Sequence, residues 1–105
     1  MIFSITLHYL HTQDEMKHHS DNHKKWLIEN ISSGKIIFAG PLINGTGGYI
    51  LAKGTSVDEM IQELSKDPFV SFGLVEVDIK AVSPAICAEV FAHQWGEESK
   101  AIKSG

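Results

Sequence analysis

Five of the six histidines in this 105-residue chain fall within its first 23 positions: His8, His11, His18, His19 and His23. Imidazole titrates near neutral pH, so such a cluster points either to proton transfer or to a metal. His19 and His23 stand four apart, which puts them on one face of a helix if the segment is helical. So placed, they could share a divalent cation, with His11 or Asp67 as third ligand. The spacing matches no zinc motif, and the single cysteine, Cys87, offers no thiolate pair, so no metal is expected. His18 and His19 also fit a solvated helix start. His23 differs, because it lies inside a helical pattern eleven residues before Gly34. Asp67 opens the segment Asp67-Pro68-Phe69, 44 residues further on. Taken singly, each has an ordinary structural role: a histidine on an apolar helix face is often a core residue, and an aspartate before proline often caps a turn. Were the two side chains to meet, the carboxylate on the imidazole would fix its tautomer and favour the imidazolium. That is the apparatus of a general acid/base, worth about 10²–10⁴-fold in rate.

The elements that must position this pair follow from hydrophobic periodicity. Ile2 to Leu10 alternates, with Phe3, Ile5, Leu7 and Tyr9 against Ser4, Thr6 and His8, a strand with one buried face. From Asp14 or Glu15 to Ser33 the period becomes helical, and Met16, His19, His23, Trp26, Leu27 and Ile31 share a face. Gly34 closes that helix. Lys35 to Leu42 reads as a second strand, stopped by Gly40-Pro41. Asn44 to Gly48 is a hairpin loop, and Tyr49 to Ala52 a third strand. Ser56-Val57-Asp58-Glu59 fits a capping box for a second helix, with Met60, Ile61 and Leu64 on its apolar side. Pro68 interrupts it, Phe69 to Gly73 is a turn, and Leu74 to Val82 is the last core strand. Ser83-Pro84 suits a helix start, so a short helix is expected over Ala85 to Trp95, with an extended segment as the rival and a frayed tail from Glu97 onward.

The order β-α-β-β-α-β is the ferredoxin-like arrangement: an α+β fold with an antiparallel sheet and both helices on one face. Residues 1–82 form that domain and 83–105 a C-terminal extension. The open sheet face needs a cover, and a second copy of the chain is the simple candidate.

Two runs carry a family resemblance. One is His23 to Gly34 continuing through Lys35-Ile36-Ile37-Phe38-Ala39-Gly40-Pro41. The other, more specific, is Asp67-Pro68-Phe69-Val70-x-x-Gly73-Leu74-Val75. Together they resemble the YciI-like family over roughly residues 2–82. The resemblance implies a ferredoxin-like domain dimerised through its open face into an α+β barrel, with further homo-oligomers within reach. It also implies a cleft where His23 and Asp67 form a catalytic pair. Relatives include a dehydrochlorinase acting on a chlorinated hydroxyhydroquinone, and similar barrels host muconolactone isomerases and small monooxygenases. Residues expected around the substrate are His19, Ser20, Pro41, Phe69 and Phe72, the two phenylalanines as apolar walls. Family members often carry an arginine three residues before the histidine. Here that position is Ser20, and all nine basic residues are lysines. An anionic oxygen would have to be met by something else, with Lys24, His19 and Asn22 nearby.

Composition narrows the alternatives. The formal net charge is −4, which argues against a nucleic-acid partner. The absence of arginine removes the bidentate clamp for phosphate. Gly45-x-Gly47-Gly48 joins two strands instead of opening a helix, so it is a turn and not a phosphate cradle. No nucleophile elbow or dinucleotide fingerprint is present, so no cofactor is expected. Cys87 lies among apolar residues as a small core side chain. The N-terminus lacks a signal-peptide pattern and no apolar run is long enough to span a membrane, so a cytoplasmic location is expected. The resulting expectation is a cofactor-free lyase or isomerase acting on a small cyclic hydroxylated or lactone substrate. The alternative is a non-catalytic dimeric module of the same fold that binds a small molecule or a protein.

Overall fold

The computed structural model describes residues 1–96 and 100–102. The chain runs β1 (Ile2–Tyr9), α1 (Gln13–Ser32), β2 (Ile36–Pro41), β3 (Gly47–Lys53), α2 (Val57–Leu64), α3 (Pro68–Ser71) and β4 (Val75–Val82), then β5 (Ile86–Ala88), α4 (Glu89–Trp95) and β6 (Lys100–Ile102). β1 to β4 form one antiparallel sheet in the order β2-β3-β1-β4, the ferredoxin-like order.

Register makes the core. In β1, Phe3 lies between Ala52 and Ala81, Ile5 between Ile50 and Ile79, and Leu7 between Gly48 and Val77. Side chains alternate across a strand, so this row faces one way. It packs with Met16 and Trp26 of α1, Met60 and Leu64 of α2, and Phe69 of α3. The opposite face carries Ser4, Thr6, Phe38, Tyr49, Leu51, Asp78 and Lys80 by the same alternation.

Local chemistry sets the element ends. Thr12 caps α1 by accepting the Glu15 amide at 3.3 Å, and Asp14 and Glu15 in the first turn suit the positive end of the helix dipole. Gly34, at φ +82°, takes the left-handed conformation that ends the helix. Ser56 caps α2 through the Glu59 amide. Pro41 sits at the end of β2, an edge strand, where a missing N–H breaks no second ladder.

Four details depart from the periodicity. Along α1 the inward stripe runs Met16, Trp26, Asn30, and Ile31 is 44 % exposed. Asn30 tolerates burial because its side-chain amide donates to the Trp26 carbonyl at 2.9 Å. On α2, Ile61 faces out while Met60 and Leu64 are buried. The expected turn after Asp67 is the short helix α3. Finally, the helix expected over 85–95 is confined to Glu89–Trp95. Ile86–Ala88 is extended and pairs in parallel with Lys100–Ile102. A strand partner from beyond the helix outweighs the helix-start signal of Ser83-Pro84. Of the expected frayed tail, residues 97–99 and 103–105 lie outside the described residues.

Two adjacent glycines in β3 have opposite duties. A Cβ on Gly47 would land on the Leu7 carbonyl oxygen, whereas one on Gly48 would meet only the Gly40 carbonyl, at 3.8 Å. Gly47→Ala is therefore expected to lower the unfolding free energy by about 2 kcal/mol or more, and Gly48→Ala to change it by less than about 1 kcal/mol. Urea titrations of the two variants, read at unchanged m-value, check this.

Candidate active site

Asp67 is held in place by backbone on both sides. Its amide donates to the Leu64 carbonyl, and its carbonyl accepts the amides of Val70 and Ser71. It is the N-cap of α3, with Pro68 at the first helical position. The side chain has 0 % exposure. A carboxylate taken out of water requires donors, and Oδ1 has two. The Phe69 amide donates at 3.2 Å, and His23 Nδ1 lies at 2.7 Å. An oxygen that accepts from an amide is the acceptor for the imidazole too, so Nδ1 donates to it, and in the neutral tautomer Nε2 keeps its lone pair. Oδ2 and Trp26 Nε1 are buried with no hydrogen-bond partner among the described residues.

Aromatic stacking fixes the imidazole plane. His23 lies on the Phe69 ring at 3.9 Å between centroids, with 9° between planes. His19 stacks on Phe72 at 4.3 Å and 30°. Two histidines one turn apart on α1 thus face the two phenylalanines of the α3 region.

His23 has its other side on a cavity of about 290 Å³ between α1 and the sheet. From α1 the wall takes Ser20, His23, Lys24 and Leu27, which are neighbours on one helix face. The sheet supplies Leu7, Tyr9, Ala39, Gly40, Pro41, Gly48 and Ile50, and α3 supplies Phe69. Tyr49 borders the cavity between Gly48 and Ile50 while its ring lies on the opposite face, with its hydroxyl 2.8 Å from Ser4 Oγ. A more polar recess of about 360 Å³ adjoins it, sharing Tyr9, Ser20 and Phe69 and adding Gln13, Asp14, Met16 and Lys17.

Among the residues singled out from sequence, His23, Ser20, Pro41 and Phe69 line the cavity, and Asp67 stands directly behind His23. His19 and Phe72 do not line it; they pair with each other, and Phe72 is 63 % exposed. Periodicity alone did not single out Tyr9, Leu7, Gly48 and Ile50. Strand register could have pointed to them, because they follow the inward row of β1 and β3. Asp67, one of the proposed third metal ligands, already holds His23 Nδ1, and the other, His11, pairs with Glu15 at 2.7 Å. Among the described residues no three His, Cys, Asp or Glu side chains gather as a metal site. Nor is any helix among them long and apolar enough to cross a membrane.

Among solved structures, the chain is similar to 5-chloro-2-hydroxyhydroquinone dehydrochlorinase (TftG) from Burkholderia phenoliruptrix AC1100, in complex with 2,5-dihydroxybenzoquinone. The TM-score is 0.69 at 20% identity, over 78% of this chain and 93% of that one. This chain has the fold of that dehydrochlorinase. The likeness fits the YciI-like resemblance of the two sequence signatures. No family model matches the sequence, and no curated protein matches it.

The hydrogen-bond geometry makes a tautomer prediction. Nitrogen-15 NMR of the neutral protein is expected to show His23 with a protonated Nδ1 and an unprotonated Nε2. A neutral His23 with its hydrogen on Nε2 would contradict the assignment of Asp67 as acceptor.

Proposed function

We propose that the chain is a lyase or isomerase that needs no cofactor, with His23 as general acid/base and Asp67 as the carboxylate that orients it. The substrate is a small cyclic molecule bearing hydroxyl groups or a lactone. The carrying observation is the 2.7 Å contact between His23 Nδ1 and a fully buried Asp67 oxygen, with His23 on the wall of a largely apolar cavity. Apolar cavities with few polar groups are the usual form of small-molecule sites. That a protein of the same fold is a dehydrochlorinase, and holds a dihydroxybenzoquinone, supports the substrate class. That likeness is one of fold, and this architecture hosts many functions, so the His23–Asp67 contact and the cavity carry the reading.

In this reading Nε2 removes a proton from a ring hydroxyl, or from carbon next to a carbonyl. The electron pair left behind moves through the ring. In a lyase the ring carbon that bears the leaving group first takes up a proton. Loss of a further hydroxyl proton then expels an anion such as chloride or hydroxide, the net loss being the acid HCl or water. In an isomerase the electron pair takes up a proton at a second carbon. The imidazolium then returns its proton to water or to the product. Electrons stay within the substrate and its leaving group, so the step is balanced without an outside acceptor. Asp67 keeps the ring oriented and stabilises the cation.

The reading includes a homodimer through the sheet face that the helices leave open. Phe38, 51 % exposed, and Tyr49 lie together on that face with ring centroids 5.8 Å apart, an apolar patch suited to burial against a second copy.

Turnover is tested with 5-chloro-2-hydroxyhydroquinone and related hydroxyquinols and lactones, measuring chloride release or ring absorbance. His23→Asn is the informative variant, because its side-chain amide can stand where Nδ1 stands and still donate to Asp67. It is expected to fold like the parent and to lose about 10²–10⁴-fold in rate. His23→Ala strips the buried carboxylate of its partner as well, and should cost about 2–4 kcal/mol of stability. Full activity in His23→Asn would sink the acid/base role and leave a binding module. For the dimer, Phe38→Lys should shift the mass measured by light scattering from two chains to one.

A further inference from the structure

The cavity beside His23 has one fixed charge on its wall. Of its lining residues, only Lys24 is a lysine and none is a carboxylate. Lys24 follows His23 directly and stands four residues from Ser20, so Ser20, His23 and Lys24 present their side chains from one ridge of α1. Lysines 35, 66 and 80 each have a carboxylate within 4 Å, whereas Lys24, like Lys17, Lys25, Lys53 and Lys100, has none among the described residues; what sets Lys24 apart is its place on the cavity wall. The remaining wall is mostly aliphatic and aromatic, with glycine at Gly40 and Gly48. A cation at the rim of such a surface acts through a lower dielectric than bulk water, so its attraction for an anion reaches into the space beside the imidazole. The chain holds no arginine to do this instead.

We propose that Lys24 holds an anionic oxygen of the ligand in the His23 cavity, so that the site selects a single-ring acid, a phenolate, enolate or ring carboxylate, over its neutral counterpart. The proposal rests on the reading of this cavity as the substrate site. It sharpens that reading in two ways. A cavity of about 290 Å³ lies at the small end of ligand sites, enough for one ring with few substituents. The charge on Lys24 also opposes the charge that the substrate gains when His23 takes a proton. Binding of the acid and stabilisation of the deprotonated ring thus come from the same ammonium group. Lys24 lies at the cavity edge on an exposed stretch of helix, so its long side chain can swing over a bound ring.

The test is equilibrium binding of two probes: 2,5-dihydroxybenzoquinone, an ionised vinylogous acid at neutral pH, and 2,5-dimethoxybenzoquinone, its neutral analogue. The proteins are the wild type, Lys24→Met, Lys24→Arg, Lys25→Met and His23→Asn. Lys25 is the adjacent lysine on α1 and lines neither cavity. The expected result is that the wild type prefers the acid, that Lys24→Met weakens it by about tenfold or more, and that the neutral probe is unaffected. Lys24→Arg should restore most of the affinity, Lys25→Met should match the wild type, and melting temperatures should stay together. Equal affinity of wild type and Lys24→Met for the acid overturns the proposal. So does an equal loss in Lys25→Met, which would reflect only net charge, and so does failure of the wild type to bind the acid. His23→Asn separates this proposal from the enzymatic one. If His23→Asn keeps full turnover while Lys24→Met loses acid binding, the acid/base role falls and the anion site stands.

Discussion

Asp67 has no exposed surface, and its carboxylate must find its donors inside the protein. Burial of an ionised carboxylate is costly unless the charge is met by hydrogen bonds or an opposite charge. Here the donors come from two directions. The Phe69 amide is supplied by the chain turning into α3 immediately after Asp67, and the imidazole arrives from α1, 44 residues earlier in sequence. The hydrogen bond to His23 ties the long helix to the turn before β4. The stacks of His23 on Phe69 and His19 on Phe72 lie along the same seam. Stability and the proposed chemistry therefore share one interaction: the contact that satisfies the carboxylate also leaves the imidazole with a free Nε2.

The cavity exists because the sheet runs short of bulk at one end. Toward the Phe3 and Ile5 end of β1, cross-strand neighbours Ala52 and Ile50 and the helix residues Trp26, Met60 and Leu64 close the space. Around Leu7 the neighbour in β3 is Gly48, and β2 contributes Ala39 and Gly40. α1 spans both ends as one rigid rod, anchored by Met16 and Trp26. It cannot sink onto the glycine-lined end without losing packing at the other, so a gap stays open beneath Ser20, His23, Lys24 and Leu27. A well-packed interior leaves few such voids, and this one coincides with the paired histidine.

At 20% identity, the shared fold with the dehydrochlorinase rests on pattern more than on particular residues. Alternation in four strands, two amphipathic helices and short turns suffices for the sheet order. Chemistry needs particular groups at particular distances. The proposed activity therefore rests on the His23–Asp67 contact and the cavity, and not on the architecture.

Much of the fold was legible in the chain itself. Alternation located the four core strands, and Gly34, Ser56 and Pro68 marked ends that the structure keeps to within a few residues. Those signals are local: side-chain period, capping hydroxyls and backbone freedom act over a few residues. Where the reading went astray, a distant partner intervened. Asn30 takes the buried place in preference to Ile31 because the Trp26 carbonyl satisfies it, and Ile86–Ala88 is extended because Lys100–Ile102 lies beside it. The site divides the same way. Residue types and spacing left His23 and Asp67 ambiguous; it was the resemblance to the YciI-like family that paired them and set Ser20, Pro41 and Phe69 around the expected cleft. Only the tertiary structure decided that the two side chains meet at hydrogen-bonding distance. It also decided that His19 and Phe72 stack away from the cavity while Tyr9, Lys24 and Gly48 line it. Hydrogen bonds and cavities depend on the three-dimensional placement of α1 against β1, β3 and α3, and local sequence signals carry no such distances.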